Sequence, residues 1–175
     1  QEEIVDGWRQ QMQIEDLLHE EKWETHSLAV FNNQSLGRVL VIEDRIQLTS
    51  NDEFTYHEMF AHVPIINFGD VKKVLIIGGG DGATLREVLK HKNVQATLVD
   101  IDPKVIEFSK KFLPTLHDGS FDHERSTIVI DDGTKFVKQT EEKFEVIIVD
   151  STDPEEDGPS NVLYKSEFYA DCKKC

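Results

Sequence analysis

The segment from Val74 to Leu89, "VLIIGGGDGATLREVL", places a glycine-rich turn between a continuous apolar run and a helical pattern. An apolar run without alternation is typical of a strand that is buried on both faces of a parallel sheet. Glycines after such a strand let the backbone approach a ligand closely at the start of the next helix. The segment therefore predicts the first strand, turn and helix of a ligand-binding α/β sheet.

The rest of the chain after Lys73 continues this alternation. Strands are predicted at 73–78, 96–102, 126–131 and 144–150, and helices at 82–91, 103–113 and 134–140. Strand–helix alternation with short connections predicts a doubly wound, Rossmann-like α/β fold with a parallel sheet. The last segment, "SEFYADCKKC", begins another helix, and we expect further strands after it to complete the sheet.

The residues before this sheet favour antiparallel β structure. Short β-rich runs at 27–33, 37–43 and 45–50 are separated by turn residues, and the sheet is expected to reach back to about Glu15. We predict an N-terminal β domain over 1–51 and a Rossmann-like domain over 52–175, joined by a helix over 52–66. Apolar residues at helical spacing (Phe54, Met59, Phe60, Val63) indicate this helix, and Pro64 is expected to end it.

The chain is strongly acidic, with 34 acidic and 19 basic residues and a formal net charge of −15. Such a surface repels nucleic acid and anionic membranes and attracts cations, although solubility alone also explains it. No apolar run is long enough for a membrane span, and "QEEIVDGWRQQMQ" lacks a signal-peptide pattern. Only two cysteines, Cys172 and Cys175, are present, which favours a reducing compartment and a cytoplasmic protein.

We expect no metal site. The pair of cysteines supplies two of the four ligands that structural zinc needs. His57 and His62 lie five positions apart, so their side chains diverge on a helix. His57 is interpreted as lining a pocket or as half-buried, and surface positions are predicted for His19, His91, His117 and His123.

Aspartates recur where the predicted strands end. They are Asp81 after the first strand, Asp100 and Asp102 at the second, Asp131 and Asp132 after the third, and Asp150 and Asp153 at the fourth. Because ligands of open α/β sheets bind beyond the carboxyl ends of the strands, these carboxylates are expected to meet at one edge.

Asp81 and Asp100 bear on the kind of ligand. Asp100 follows the first glycine by about 20 residues, where an acidic side chain binds the ribose of nicotinamide and S-adenosyl cofactors alike. Asp81 would repel a pyrophosphate but would attract the sulfonium and amine of an S-adenosyl compound. The turn is therefore predicted to bind a cationic nucleoside.

Asp150 and Asp153 form a D-x-x-D pattern in "VIIVDSTDP", where both carboxylates can converge on one ammonium group. An amine attacks only when deprotonated, so its alkylation needs a base beside the nitrogen. Asp150, at the strand tip, is the better candidate base, and Asp153 is better placed to orient the amine. An Asp-Pro turn that caps the next helix explains Asp153 equally well.

With these motifs the chain resembles the polyamine aminopropyltransferases, the spermidine synthase family. The similar segments are "LGRVLVIEDRIQLTSNDEFTYHEMFAHVP", "VLIIGGGDGATLREVLKHKNV", "VIDDGTKFV" and "VIIVDSTDP" with the "GP", "LY" and "EFY" that follow. The resemblance implies transfer of the aminopropyl group of decarboxylated S-adenosylmethionine to an amine, usually putrescine. It implies a homodimer or homotetramer with no metal and no permanently bound cofactor.

The resemblance also implies roles for individual residues. Asp150 would be the general base, Asp81 would hold the aminopropyl amine, and Asp100 would bind the ribose. Further donor contacts are implied for His26, Gln47, Gly78, Gly80, Asp132, Gly133 and Pro159, and diamine contacts for Tyr56, His57, Asp81, Asp150, Asp153 and Tyr164. Asp100 stands where the family usually has Glu, and His26 where it has Gln.

Two other functions are weighed on the same residues. The first is a diamine N-methyltransferase that uses intact S-adenosylmethionine, whose carboxylate Asp81 would repel. The second is a nicotinamide-dependent oxidoreductase, against which Asp81 and the D-x-x-D loop argue. Putrescine, cadaverine, agmatine and spermidine all stay open as the acceptor.

Overall fold

The computed structural model describes residues 2–5, 7–22, 27–152, 154 and 159–175. Its contacts divide the chain into two compact units, Gln1–Tyr56 and His57–Cys175. The predicted domain boundary after residue 51 stays a prediction, and each unit is described by itself.

The first unit is built from antiparallel strands. Its main sheet holds β3 (Asp16–Lys22), β4 (Ser27–Asn33), β5 (Gly37–Ile42) and β6 (Arg45–Thr49), paired in chain order. A separate antiparallel pair, β1 (Glu2–Val5) and β2 (Trp8–Gln10), precedes it. The predicted antiparallel sheet is confirmed, whereas the sequence pattern does not indicate the β1–β2 pair.

Asn33 closes the turn between β4 and β5. Its side-chain oxygen accepts hydrogen bonds from the amides of Ser35 and Leu36, each at 3.0 Å. This is the usual use of asparagine in turns, where its side chain replaces a backbone acceptor. Leu28 and Val30 on β4 and Val39 on β5 are buried in this unit.

Helix α1 spans Glu53–Phe68 and corrects two predictions. Pro64 lies inside the helix and does not end it. A proline removes one backbone hydrogen bond, but the next residue, Ile65, is buried and keeps the helix packed on the core. The helix continues to Phe68 and stops before Gly69, whose φ of +100° lies in the left-handed region. The buried positions of α1, four residues apart, are His57, Ala61 and Ile65.

The apolar residues that suggested this helix do not form its buried face. The side chains of Phe54, Met59 and Val63 are exposed, and Phe60 is partly buried against the core. Helical spacing indicated the helix correctly, but the side toward the core is the one with Ala61, which is fully buried. A small residue there lets the helix axis approach its neighbours closely.

The second unit contains a parallel sheet with helices. Its strands are β7 (Lys73–Gly78), β8 (Gln95–Asp100), β9 (Ser126–Ile130) and β10 (Val146–Asp150). Its helices are α2 (Ala83–Leu89), α3 (Pro103–Phe112), α4 (Pro114–His117), α5 (Gly133–Gln139) and α6 (Ser166–Cys172), with 3₁₀ turns at Ser120–Asp122 and Pro159–Tyr164. The spatial order β10-β7-β8-β9 confirms the predicted Rossmann-like fold.

The two faces of this sheet carry separate apolar clusters. On β7, Val74 and Ile76 face a cluster formed with α1, α2 and α3, whereas Leu75 and Ile77 face a cluster formed with α5 and α6. Alternate residues of one strand thus enter opposite layers, which explains why the sequence reads as a continuous apolar run.

One histidine predicted at the surface is buried, and another, which is partly exposed, makes a contact that the sequence does not indicate. His117 is buried rather than at the surface, and its ring packs 5.1 Å from that of Phe121. His91 lies 2.9 Å from His62, nitrogen to nitrogen, and the other ring nitrogen of His62 is 3.1 Å from the buried carboxylate of Glu87. These contacts join α1 to α2, so apolar burial alone does not hold the two helices together.

Arg125 binds the end of α2. Its guanidinium donates hydrogen bonds to the backbone oxygens of Leu89 (2.7 Å), His91 (2.8 Å) and Val94 (2.7 Å). Carbonyls at the end of a helix have no partner within the helix, and a cation there also favours the helix dipole. Arg125 therefore fixes the connection between α2 and β8.

Replacing Arg125 by Met should lower the free energy of unfolding by about 2–4 kcal/mol, because several bonds to a charged donor are lost. Arg125→Lys should fall between Met and wild type, since one ammonium cannot reach all of these carbonyls. Urea unfolding of the full-length variants checks this, with Lys104→Met at an exposed position as the control. An Arg125→Met protein as stable as the control would contradict the assignment.

Candidate active site

The site lies at the point of the parallel sheet where the strand order reverses. β8 lies on one side of β7 and β10 on the other, and ligands of such sheets bind in the crevice at this switch point. At this end of the strands Gly78 is paired with Asp150. The glycine turn and the aspartate at the end of β10 are therefore neighbours.

Glycine is required in the turn after β7 because the chain passes directly against Asp150. Gly78 and Gly79 have φ values of +82° and +69°, and a Cβ on Gly78 would collide with the carbonyl oxygen of Asp150. The Gly79 amide donates a hydrogen bond to that same oxygen at 2.8 Å. The turn thereby fixes the backbone of Asp150.

The carboxylate of Asp150 is held from α2. The Thr84 hydroxyl donates a hydrogen bond of 2.6 Å to Asp150 Oδ2. Thr84 is fully buried, and the motifs of the sequence do not single it out as a functional residue. A polar residue between the apolar residues Ala83 and Leu85 at the start of the helix was the available signal.

Asp100 lies at the end of β8 and is 9% exposed. Its carboxylate accepts hydrogen bonds from the amides of Asp102, at 2.8 Å, and Gly80. Burial raises the pKa of Asp100, the charges of Asp102 and Asp150 add to the rise, and the two amide bonds oppose it. The surroundings therefore disfavour the charged form of Asp100. A ligand that donates hydrogen bonds to the carboxylate, or that carries a positive charge, would stabilise this charged form.

Asp81 lies inside the turn, one residue before Gly82, the N-cap of α2. Its Oδ1 accepts a hydrogen bond from the Ala83 amide at 2.7 Å, and the buried His57 ring nitrogen lies 4.0 Å from the same oxygen. His57 is therefore buried beside Asp81, not half-buried. The structure brings together Asp81, Asp100 and Asp150 on adjoining strand ends, as the sequence predicts.

Asp132 follows β9 and begins α5. Its Oδ1 accepts bonds from the amide (2.8 Å) and hydroxyl (2.7 Å) of Thr134. Burial acts to raise the pKa of Asp132, but these bonds and the Lys135 amide and charge outweigh it and hold the pKa below its usual value. Gly133 is buried, and a Cβ there would press on Ile77.

The other predicted site residues are less closely gathered. Tyr164 is 44% exposed, and its hydroxyl donates to the Thr152 carbonyl oxygen at 3.2 Å. Gln47 and Tyr56 are exposed residues of the first unit. His26 and Asp153 lie outside the described residues, as does the side chain of Pro159, which begins a 3₁₀ turn.

Neither a metal cluster nor a membrane span occurs in the described part of the chain. Within it, no group of three or more His, Cys, Asp or Glu side chains could hold a metal ion. No helix formed by those residues is long and apolar enough to cross a membrane.

Comparison with known families decides the kinship of this chain. The model of the spermine/spermidine synthase domain matches residues 53–175, and the spermidine synthase tetramerisation domain matches residues 1–50. The chain belongs to the spermine/spermidine synthase family. The resemblance found in the motifs is thereby confirmed.

Curated relatives agree with this membership. The chain is 51% identical to a polyamine aminopropyltransferase of Pseudomonas syringae pv. tomato and 49% identical to polyamine aminopropyltransferase 1 of Pseudomonas aeruginosa. Each alignment covers 100% of this chain and 61% of the relative. The chain thus spans about three fifths of the length of these relatives.

Solved structures of this family share the fold. A spermidine synthase in complex with the transition state analogue AdoDATO is 43% identical, with a TM-score of 0.87. The spermidine synthase of Thermotoga maritima is 42% identical, with a TM-score of 0.85. The two comparisons cover 93% of this chain and 55% and 54% of the solved chains.

The raised pKa of Asp100 predicts a pH-dependent stability term. The folded protein keeps this proton to higher pH than the unfolded chain does, so the stability that Asp100 contributes is fully present below about pH 3.9. It is lost as the pH rises through the raised pKa. We expect the unfolding free energy of wild type minus that of Asp100→Asn to fall as the pH rises from about 4 towards neutrality.

Urea unfolding of the full-length protein at a series of pH values measures this difference. Asp70→Asn, an exposed aspartate just before the start of β7, corrects for the loss of one charge. A corrected difference that rises with pH would show that the carboxylate of Asp100 is stabilised, not penalised, by its surroundings.

Proposed function

We propose that the full-length protein transfers the aminopropyl group of decarboxylated S-adenosylmethionine to putrescine and forms spermidine and methylthioadenosine. The observation that carries this proposal is the carboxylate of Asp81 within the glycine turn after β7, whose neighbouring strands β8 and β10 end in Asp100 and Asp150. The family membership and the names of the relatives support the same reaction.

The charge in the turn favours a sulfonium over a dinucleotide. A pyrophosphate would place anionic oxygens against Asp81 in a site of low effective dielectric. The decarboxylated donor has no phosphate and no carboxylate, and it carries a sulfonium and an ammonium. Intact S-adenosylmethionine adds a carboxylate, so the same argument disfavours a diamine N-methyltransferase.

In this proposal the donor lies across the ends of the strands. Asp81 binds the ammonium of the aminopropyl group, and Asp100 accepts hydrogen bonds from the ribose. Asp132 and Gly133 contact the adenine at the start of α5, and the narrow turn at Gly78 and Gly80 admits the nucleoside. His26, Gln47 and Pro159 are proposed as further donor contacts.

The acceptor binds beside Asp150. Its amine nitrogen attacks the methylene carbon attached to the sulfonium, the carbon–sulfur bond breaks, and the electron pair stays on sulfur to give neutral methylthioadenosine. Before the attack, this nitrogen gives a proton to Asp150, because an ammonium group has no free electron pair. Further diamine contacts are proposed for Tyr56, His57, Asp81, Asp153 and Tyr164.

Binding both substrates between carboxylates overcomes the repulsion between two cations and orients them for in-line displacement. We propose that the chemistry needs no metal and no bound cofactor beyond this co-substrate. The match to a tetramerisation domain supports a homodimer or homotetramer. Cys172 and Cys175 are free thiols, which supports a cytoplasmic protein.

Replacing Asp150 by Asn should lower kcat for methylthioadenosine release by about 10²–10⁴-fold, because the amine loses its base. The assay supplies the full-length protein with the decarboxylated or the intact donor and with putrescine, cadaverine, agmatine or spermidine in turn. Asp70→Asn is the matched control and should keep wild-type activity.

Three results would contradict the proposal. Full activity of Asp150→Asn would show that Asp150 is not the general base. Turnover only with intact donor, yielding adenosylhomocysteine, would assign the protein to the methyltransferases. A better rate with another amine would change the acceptor and leave the transfer reaction in place.

A further inference from the structure

Thr84 makes a contact that the fold alone does not require. It lies in the first turn of α2, it is fully buried, and its hydroxyl donates to Asp150 Oδ2 across 66 positions of sequence. A buried hydroxyl is unfavourable without a partner, and an alanine here would be a better helix former. A threonine in a helix commonly bonds back to the carbonyl of the preceding turn, but this hydroxyl bonds to the end of another strand.

We infer that Thr84 is a positioning residue that orients the carboxylate of Asp150 towards the attacking amine. This inference rests on the proposed function, because it gives Thr84 a role only if Asp150 is the base. Thr84 itself touches neither substrate in this account.

The backbone and side chain of Asp150 are held by different elements. Its carbonyl oxygen is bound by the Gly79 amide, and its Cα is paired with Gly78. Both of these contacts act on the backbone. The bond from Thr84 restricts the two side-chain torsions, because it fixes one carboxylate oxygen in place.

The hydroxyl bond is compatible with catalysis by the same carboxylate. A carboxylate offers about four acceptor positions, so one bond from Thr84 leaves capacity for a proton from the amine. An orienting partner of this kind is common for catalytic bases, since a misplacement of about 1 Å can cost about 10²-fold in rate.

The alternative is that Asp150 merely satisfies a buried threonine. The two accounts differ in what happens when the hydroxyl is removed at nearly constant volume. A structural contact would change stability and leave the catalytic rate of the folded enzyme unchanged. A positioning contact would lower kcat and leave KM nearly unchanged.

The experiment compares three variants of the full-length enzyme. Thr84→Val removes the hydroxyl, Thr84→Ser keeps it, and Thr127→Val makes the same change at an exposed position of β9. We expect kcat of Thr84→Val to fall by about 10- to 100-fold, with KM for donor and diamine nearly unchanged. Thr84→Ser should stay within a few-fold of wild type, and Thr127→Val should match it.

A second arm tests whether Thr84 acts through Asp150. In an Asp150→Asn background, Thr84→Val should cause no further loss in the single-turnover rate measured over long incubations. An equal fractional loss in both backgrounds would overturn the inference. Urea unfolding of each variant keeps a folding defect separate from a rate defect.

The outcomes separate the inference from the proposed function. If Asp150→Asn is fully active, the proposed base is wrong, whatever Thr84 does. If Asp150→Asn is inactive and Thr84→Val keeps wild-type kcat, the base stands and the inference is overturned. If Thr84→Val fails to fold, Thr84→Ala is measured in its place, and the same loss of kcat is expected.

Discussion

The close parallel pairing at the ends of β7 and β10 is the constraint on which the site depends. Gly78 lies opposite Asp150, and the following amide binds the Asp150 carbonyl oxygen at 2.8 Å. No Cβ fits at position 78, so β7 must end in glycine. This contact brings the start of α2 against the end of β10, where the Thr84 hydroxyl reaches the carboxylate of Asp150.

Carboxylates gathered in this way repel one another, and the protein offsets this with local donors. Asp81 accepts from the Ala83 amide, Asp100 from the Asp102 and Gly80 amides, and Asp150 from the Thr84 hydroxyl. Burial first, and the charges of Asp102 and Asp150 after it, raise the pKa of Asp100 despite the two amide bonds. A cationic ligand would relieve the remaining repulsion between the carboxylates. This relief adds to the ligand's affinity for the site.

Features with a strict local cause were predictable from the sequence. The apolar run 74–77 and the glycines after it predict a buried strand and a tight turn. The aspartates lie at one edge because parallel strands end at the same edge of the sheet. Tertiary packing decided the rest. The burial of Ala61 and Ile65 keeps α1 helical beyond Pro64. The bond from Thr84 to Asp150 joins residues 66 positions apart, so no local spacing indicates it.

The most direct test of a turn built for a cation is calorimetric titration of wild type and Asp81→Asn with decarboxylated S-adenosylmethionine and with methylthioadenosine. The side-chain oxygen of Asn can accept the same bond from the Ala83 amide, so the change removes the charge and keeps this contact. The account predicts about tenfold or greater loss of affinity for the cationic donor and little change for neutral methylthioadenosine. Equal losses for both ligands, or none for the donor, would contradict it.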